Sequence, residues 1–278
     1  MDTSHSVEGT AVGQFYDNLR RSALPAAALA HGEAYIGQEC VLTPEEILQF
    51  ARQAGITSAT AVLDIGSGTG GPACYLAQQL GCRVLGIDVS AVGYAQAMAR
   101  AHEQGLTHLV QFQYGDVQTV DLPPAAFDVI LGLDAWCHIP RRATMLQRCA
   151  AWLHPGGRIA FYDHIECQPL PEAQRQLFYA LWRFSALETL QSYVAALEAA
   201  GLRMCFQAET SVYAVRFYTR LLTGYVEQRA AFEAARGPER YQEGLERLQM
   251  TQRFATLGCL GQIACIAEKP LRPTEGRQ

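Results

Sequence analysis

Short runs rich in apolar residues recur through the middle of the chain, at 61–65, 84–88, 110–114, 127–133 and 158–163, and several of them close on an acid. Runs with little polar alternation read as strands covered on both faces, the habit of a parallel sheet. Between the fourth and fifth runs the pattern turns helical over 143–153, and Pro155-Gly156-Gly157 then leads into the fifth.

Flanking stretches carry helical patterns of their own. Residues 12–21 read as a helix bearing Phe15-Tyr16-Asp17, interrupted by Pro25 and an alanine-rich stretch. A well-marked helix follows, with Thr43 as N-cap, Pro44 at the first helical position and Glu46 in the capping-box place. Ile47, Leu48 and Phe50 form its apolar side, and Gly55 stops it. After the fifth strand, 168–184 is too aromatic for a surface connection. Ser185 and Glu188 then offer a second capping box ahead of a helix with Leu190, Tyr193, Val194 and Leu197, closed by Gly201. The last two strands are expected at 203–210 and 261–269, with a helical insertion over 215–257 and a frayed tail from 270. The expected division is amino-terminal helices at 1–58, a core at 59–210, a helical lid insertion at 211–258, a final core strand at 259–270 and a tail at 271–278.

With 278 residues, of which 49% are hydrophobic and 18% charged, the chain can bury a large core. Its net charge of −5 is spread without a broad cationic face, so no nucleic-acid partner is expected. Nine cysteines lie scattered with no C-x-x-C pair or metal spacing, which reads as small buried apolar residues in a reducing compartment, with no metal. The start of the chain lacks a basic region with an apolar core, and no apolar run reaches membrane-spanning length. The expected setting is cytoplasmic, with no membrane partner, as a monomer or homodimer.

Chemistry concentrates where the first run meets its turn. Asp64 precedes Gly66, Gly68 and Gly70, which lack a β-carbon and let the chain turn sharply and bring backbone amides close to a ligand. The second run ends in Asp88-Val89, placing a carboxylate where it accepts hydrogen bonds from ribose hydroxyls. Gly66, Gly68 and Gly71 also satisfy the G-x-G-x-x-G dinucleotide pattern, so a nicotinamide-binding oxidoreductase stays open. Against it, Asp64 sits two residues before the first glycine, where a pyrophosphate is disfavoured. The third run leads to Asp116-Val117, a carboxylate and an apolar flank for adenine, and the fourth to Leu133-Asp134.

From its first to its fifth strand this arrangement resembles the core of class I S-adenosylmethionine-dependent methyltransferases. The resemblance implies an α/β fold: a Rossmann-like, seven-stranded, mostly parallel sheet with its last strand antiparallel, plus a helical lid over the carboxyl edge. It implies S-adenosylmethionine as cofactor, with Asp64 and Asp134 toward the methionine end, glycine-loop amides on its carboxylate, Asp88 and Val89 at the ribose, and Asp116 and Val117 at adenine. Leu133-Asp134-Ala135-Trp136-Cys137-His138 resembles the Asp-Ala-aromatic-x-His segment of sarcosine and dimethylglycine N-methyltransferases, and more loosely the x-x-x-His segment of natural-product O- and C-methyltransferases. His31-Gly32-Glu33 with Tyr35-Ile36-Gly37 is similar to the loop ahead of their core, although His31 replaces a glycine and the loop's tryptophan is missing.

The resemblance makes His138 the candidate general base, the other reading being a helix cap or a bond to the fifth strand. Asp163 is its candidate companion, or else a solvated turn acid. Tyr16, Trp136, Trp182 and Phe217, with Phe184, Tyr213 and Tyr218, form either a cage for a cationic amine or an apolar slot, or else belong to the core. His5, His102, His108, His154 and His164 read as surface or core histidines, and Arg141-Arg142 as a solvated helix start, the other reading being a site for an acidic acceptor group near the pocket mouth. The expected activity is methyl transfer to a small molecule, with an amine nitrogen ahead of a hydroxyl. O- or C-transfer to a natural-product or isoprenoid acceptor is the alternative, and a non-catalytic cofactor-binding protein a third reading.

Overall fold

The computed structural model describes residues 4–21 and 25–271. Seven strands, β1 (Ala61–Ile65), β2 (Arg83–Asp88), β3 (Val110–Tyr114), β4 (Phe127–Leu133), β5 (Leu153–Glu166), β6 (Arg203–Glu209) and β7 (Leu260–Glu268), form one sheet in the order β3-β2-β1-β4-β5-β7-β6. The first five run parallel, and β7 lies antiparallel between β5 and β6. The strand order reverses at β1, whose neighbours are β2 and β4, so a crevice opens at the carboxyl ends there.

Burial on both faces explains the near-continuous apolar runs. On β1, Val62 packs into one core cluster while Leu63 and Ile65 pack into the other, across the sheet. Helices α3 (Pro44–Gln53), α4 (Gly71–Leu80) and α5 (Ala91–Glu103) accompany the first strands, and α6 (Arg142–Trp152) and α8 (Leu190–Ala199) the later ones. The lid is built from α1 (Ser4–Arg20), α2 (Ala26–His31), α7 (Glu172–Trp182), α9 (Ser211–Glu227), α10 (Arg229–Arg236) and α11 (Pro238–Thr256).

Several boundaries differ from the sequence reading. Helix α1 starts at Ser4 rather than near residue 12, and β5 begins at Leu153, because its register with β4 resumes after an irregularity between Phe127 and Val129. The second capping box uses Thr189 and Ser192, whereas Ser185 donates to the carbonyls of Cys137 and Ile139, and Glu188 pairs with Arg142. The expected tail falls outside the described residues from 272 on, as does the side chain of His5. Among the described residues no helix is long and apolar enough to cross a membrane, and no group of three or more His, Cys, Asp or Glu could hold a metal ion.

Two polar clasps fix the lid to the core. The Asp17 carboxylate accepts from Ser90 Oγ and the Val92 amide, an anion seated at the positive end of α5. Glu46 accepts the Thr43 amide in the α3 capping box and also both guanidinium nitrogens of Arg216 on α9, at 2.8 and 2.7 Å. Replacing Thr43 with Ala removes the hydroxyl that accepts the Glu46 amide; we expect a loss of about 1 kcal/mol, or about 2 °C in thermal unfolding. An unchanged unfolding temperature would mean the cap contributes nothing in this context.

Candidate active site

The turn after β1 is shaped by its glycines. Gly66, Gly68 and Gly70 all have positive φ, and a β-carbon at Gly66 would run into Ala135. Gly70 faces Phe112 and Ala97, so it packs the loop against the core rather than lining a cavity. The loop amides are already engaged: Gly66 and Ser67 donate to the Ile87 carbonyl, Gly70 to Ser67, and Gly68 to Asp88 Oδ2 at 2.8 Å. This corrects the expectation that these amides await a carboxylate.

A cavity at the crevice brings together Asp64, Gly66, Gly68, Asp88, Val89, Asp116, Val117, Leu133, Asp134, His138 and Tyr16, most of the residues singled out in the sequence. Asp64 is 3% exposed, and burial, reinforced by the neighbouring Asp88 charge, lifts its carboxyl from the ordinary 3.8 to about 7. Asp88 Oδ1 accepts from the Ser90 amide at 2.8 Å and from Arg20 at 3.2 Å. Asp116 Oδ1 accepts from the Gln118 amide, but its Oδ2 is buried without a partner. Asp134 takes φ +56°, a conformation Asp tolerates better than most residues, and accepts from Gln262 Nε2 and the Val41 amide.

The amino-terminal helix closes this cavity. Arg20 lies with its guanidinium carbon 4.8 Å from the Tyr16 ring centre and pairs with Glu39 and Asp88. Sequence reading missed Arg20 and Glu39; the only signal was the i, i+4 spacing that puts Arg20 on the Tyr16 face of α1.

A second, larger cavity adjoins the first, and Tyr16, Arg20, Glu39, Asp134 and His138 line both. Including their open mouths the two hold about 970 and about 1840 Å³, so the second has room for more than an amino-acid-sized molecule. Its walls include Trp182, Phe184, Phe217 and Tyr218. His164, read from sequence as ordinary, lines it too: Tyr218 Oη lies 3.0 Å from its Nε2, and its Nδ1 is buried without a partner.

His138 stands at the junction, 8% exposed. Its Nδ1 lies 3.2 Å from the Arg183 carbonyl, which only accepts, so Nδ1 carries the proton and Nε2 accepts from Tyr16 Oη at 2.8 Å. Burial lowers the imidazole from 6.5 to about 4, so it is neutral at pH 7. The unfolded chain takes up this proton first, so the stability gained from a neutral His138 is whole above about pH 6.5 and is lost as the pH falls toward 4.

Besides Gly70, two expected site residues lie elsewhere. Trp136 is fully buried and stacks on Phe161, 4.7 Å between ring centres, in the core cluster on the far side. Asp163 is fully buried and lines neither cavity: it accepts from the Cys137 amide at 3.1 Å and from Tyr193 Oη. It therefore positions the short turn carrying His138 rather than facing an acceptor. Arg142, read as solvated, is 4% exposed and donates to the Trp136 and Ala186 carbonyls, bracing the same turn.

A family profile described as a methyltransferase domain matches residues 62–157. The 27-O-demethylrifamycin SV methyltransferase of Amycolatopsis mediterranei is 30% identical over 222 residues, covering 75% of this chain and 77% of that one. The chain belongs to the S-adenosylmethionine-dependent methyltransferase family. Its match to phosphoethanolamine N-methyltransferase 1 of Arabidopsis thaliana, 30% identical over 68% of this methyltransferase, spans only 38% of that protein. Its match to the sterol 24-C-methyltransferase of Eremothecium gossypii, 36% identical over 41% of this chain, spans 31% of that one. Among solved structures, Haemonchus contortus phosphoethanolamine N-methyltransferase 2 in complex with S-adenosyl-L-methionine superposes with a TM-score of 0.79 at 19% identity, over 93% of this chain and 60% of that one. The [4+2]-cyclase SpnF gives 0.78 at 20% identity over 95% and 97%. Proteins named for different reactions thus share this fold, and the fold alone does not specify the acceptor.

The crevice suits the family's cofactor chemically: the orphaned Asp116 Oδ2 seeks a donor such as an adenine amino group, and the buried Asp64 carboxyl seeks a cation. Asp163 separates a positioning role from a catalytic one. We expect Asp163→Ala to destabilise the methyltransferase by about 2–3 kcal/mol, stranding the Cys137 amide and Tyr193 hydroxyl, and Asp163→Asn to restore most of the stability and turnover. An inactive but stable Asn variant would return Asp163 to catalysis.

Proposed function

We propose that this methyltransferase transfers the methyl group of S-adenosylmethionine to a hydroxyl of a small, largely apolar molecule held in the second cavity. The observation that carries this reading is the neutral His138, whose Nε2 meets the Tyr16 hydroxyl where the two cavities join. When bound, the cofactor supplies an electrophilic methyl on a sulfonium. Asp64, Asp88, Asp116 and Asp134 hold its polar groups, with Gly66, Gly68, Val89, Val117 and Leu133 shaping the wall. Tyr16 and His138 manage the acceptor's proton. Burial keeps the Tyr16 phenol protonated, so Tyr16 donates to Nε2 while its oxygen accepts from the acceptor hydroxyl. As the O–CH₃ bond forms, the acceptor's proton passes to Tyr16 and the phenol's own proton to His138, so one proton ends on the imidazole. Closure by α1 excludes water and aligns the reactants, a contribution of up to roughly 7–11 kcal/mol.

A hydroxyl is placed ahead of an amine for two reasons. The Trp182 face that a cationic amine would seek already carries the guanidinium of Arg247, 5.0 Å from the ring centre. The Amycolatopsis mediterranei relative, of which this chain covers 77%, is named for a 27-O-demethyl substrate, a name that supports an oxygen acceptor.

Two measurements test the assignments. With phenols and aliphatic alcohols as acceptors, kcat/KM should stay level from pH 8 to about pH 5 and decline only as His138 protonates near 4, and His138→Ala should slow turnover by roughly 10²-fold or more with cofactor affinity intact. A wild-type rate in that variant would make His138 structural. Asp64, protonated well below its lifted value near 7, should release a proton when the cofactor's ammonium arrives. Calorimetry at pH 6 in buffers of different ionisation enthalpy should register that release, much reduced at pH 8 and absent in Asp64→Asn. Equal proton counts at both pH values would remove Asp64 from the ammonium site.

A further inference from the structure

The wall of the second cavity contains a positive charge that methyl transfer does not use. Arg247, on α11, lies between two aromatic rings, its guanidinium carbon 5.0 Å from the centre of Trp182 and 5.5 Å from that of Phe15. Its Nε is buried with no hydrogen-bond partner. Three other arginines of the lid and its frame do have a carboxylate: Arg20 has Glu39 and Asp88, Arg142 has Glu188, and Arg216 has Glu46. Among the described residues Arg247 makes no ion pair, and Arg236 in the same wall adds to the positive potential around it.

Removing a guanidinium from water without a counter-charge is unfavourable, and two ring faces offset only part of that cost. The rings also hold the planar group in one orientation. A guanidinium presents paired N–H donors in a rigid fork that matches the two oxygens of a carboxylate. An acceptor whose cationic amine lay beside Arg247 would meet like charge, since the carboxylates of this cavity, Glu39, Glu103 and Asp134, make no ion pair with Arg247.

We propose that the acceptor is an apolar hydroxy acid, its hydroxyl at Tyr16 and His138 and its carboxylate on the free edge of the Arg247 guanidinium. This rests on the reading of the second cavity as the acceptor site. Trp182, Phe217 and Leu221 enclose the carbon frame between the two ends. The carboxylate completes the hydrogen bonding of a half-buried cation and fixes the register in which the hydroxyl reaches the methyl group.

The test is calorimetric titration of hydroxycinnamic, hydroxynaphthoic and ω-hydroxy fatty acids, each beside its methyl ester and its amine counterpart, into protein saturated with S-adenosylhomocysteine. Wild-type protein should bind the acid of at least one frame roughly 10- to 100-fold more tightly than its ester or amine, the range of a hydrogen bond to a charged group. Arg247→Met keeps the packing between the rings and should abolish that preference, while Arg247→Lys retains part of it; S-adenosylhomocysteine binding by each variant reports that it is folded. Acids binding no better than esters across all frames, or a preference that survives in Arg247→Met, overturns the proposal. Methyl transfer to neutral alcohols without acid preference would leave the proposed O-transfer standing and remove only the carboxylate. Arg247-dependent acid binding with no turnover when S-adenosylmethionine replaces S-adenosylhomocysteine would do the reverse.

Discussion

Five strands that run parallel deliver their carboxyl ends to one edge of the sheet, and the reversal of strand order at β1 parts the connections there. This constraint governs the rest of the molecule. Asp64, Asp88, Asp116 and Asp134 come from four different strands or the turns just beyond them, yet they line one cavity because parallel pairing leaves their strands nowhere else to end. The glycine turn belongs to the same geometry, since its amides tie β1 to the end of β2 through the Ile87 carbonyl and the Asp88 carboxylate.

The lid acts on that edge mainly by removing water. Desolvation is the largest influence on the Asp64 carboxyl, the His138 imidazole and the Arg247 guanidinium, and in each case it opposes the charged form. Its consequences differ with what each group touches. Asp64 has its carboxyl pushed up, His138 is kept neutral with Nε2 as an acceptor, and Arg247 makes no ion pair among the described residues. One physical effect thus acts on three unlike groups within adjoining cavities.

Behind the cavities lies a polar frame that lines neither of them. Asp163, Tyr193 and Arg142 are buried; Asp163 and Arg142 bond the backbone of the turn from Trp136 to His138, Tyr193 donates to Asp163, and Arg142 also reaches the Ala186 carbonyl and Glu188. Such groups resemble catalytic residues in a sequence, because a buried acid at a strand end has the same letter whichever side of the sheet its turn places it on.

The cofactor half was legible because its signals are local. Strand burial shows as apolar runs, the turn as glycines at 66, 68 and 70, and the polar anchors as acids at strand ends; fixed backbone geometry then carries each to the shared edge. Trp136 and Asp163 were misplaced because the left-handed Asp134 and the short turn after it decide which side chain meets the cavity, and a string of letters does not encode that rotation. Arg20, Glu39, His164 and Arg247 gave little or no sign, because their roles arise from contacts between segments far apart in the chain. The sequence by itself determined the sheet, the glycine turn and the ring of acids, all consequences of short-range pattern. Only the tertiary structure decided which aromatics line the second cavity, that burial disfavours the charged form of His138, and that Arg247 makes no ion pair among the described residues, since burial and pairing depend on how the lid packs over the sheet.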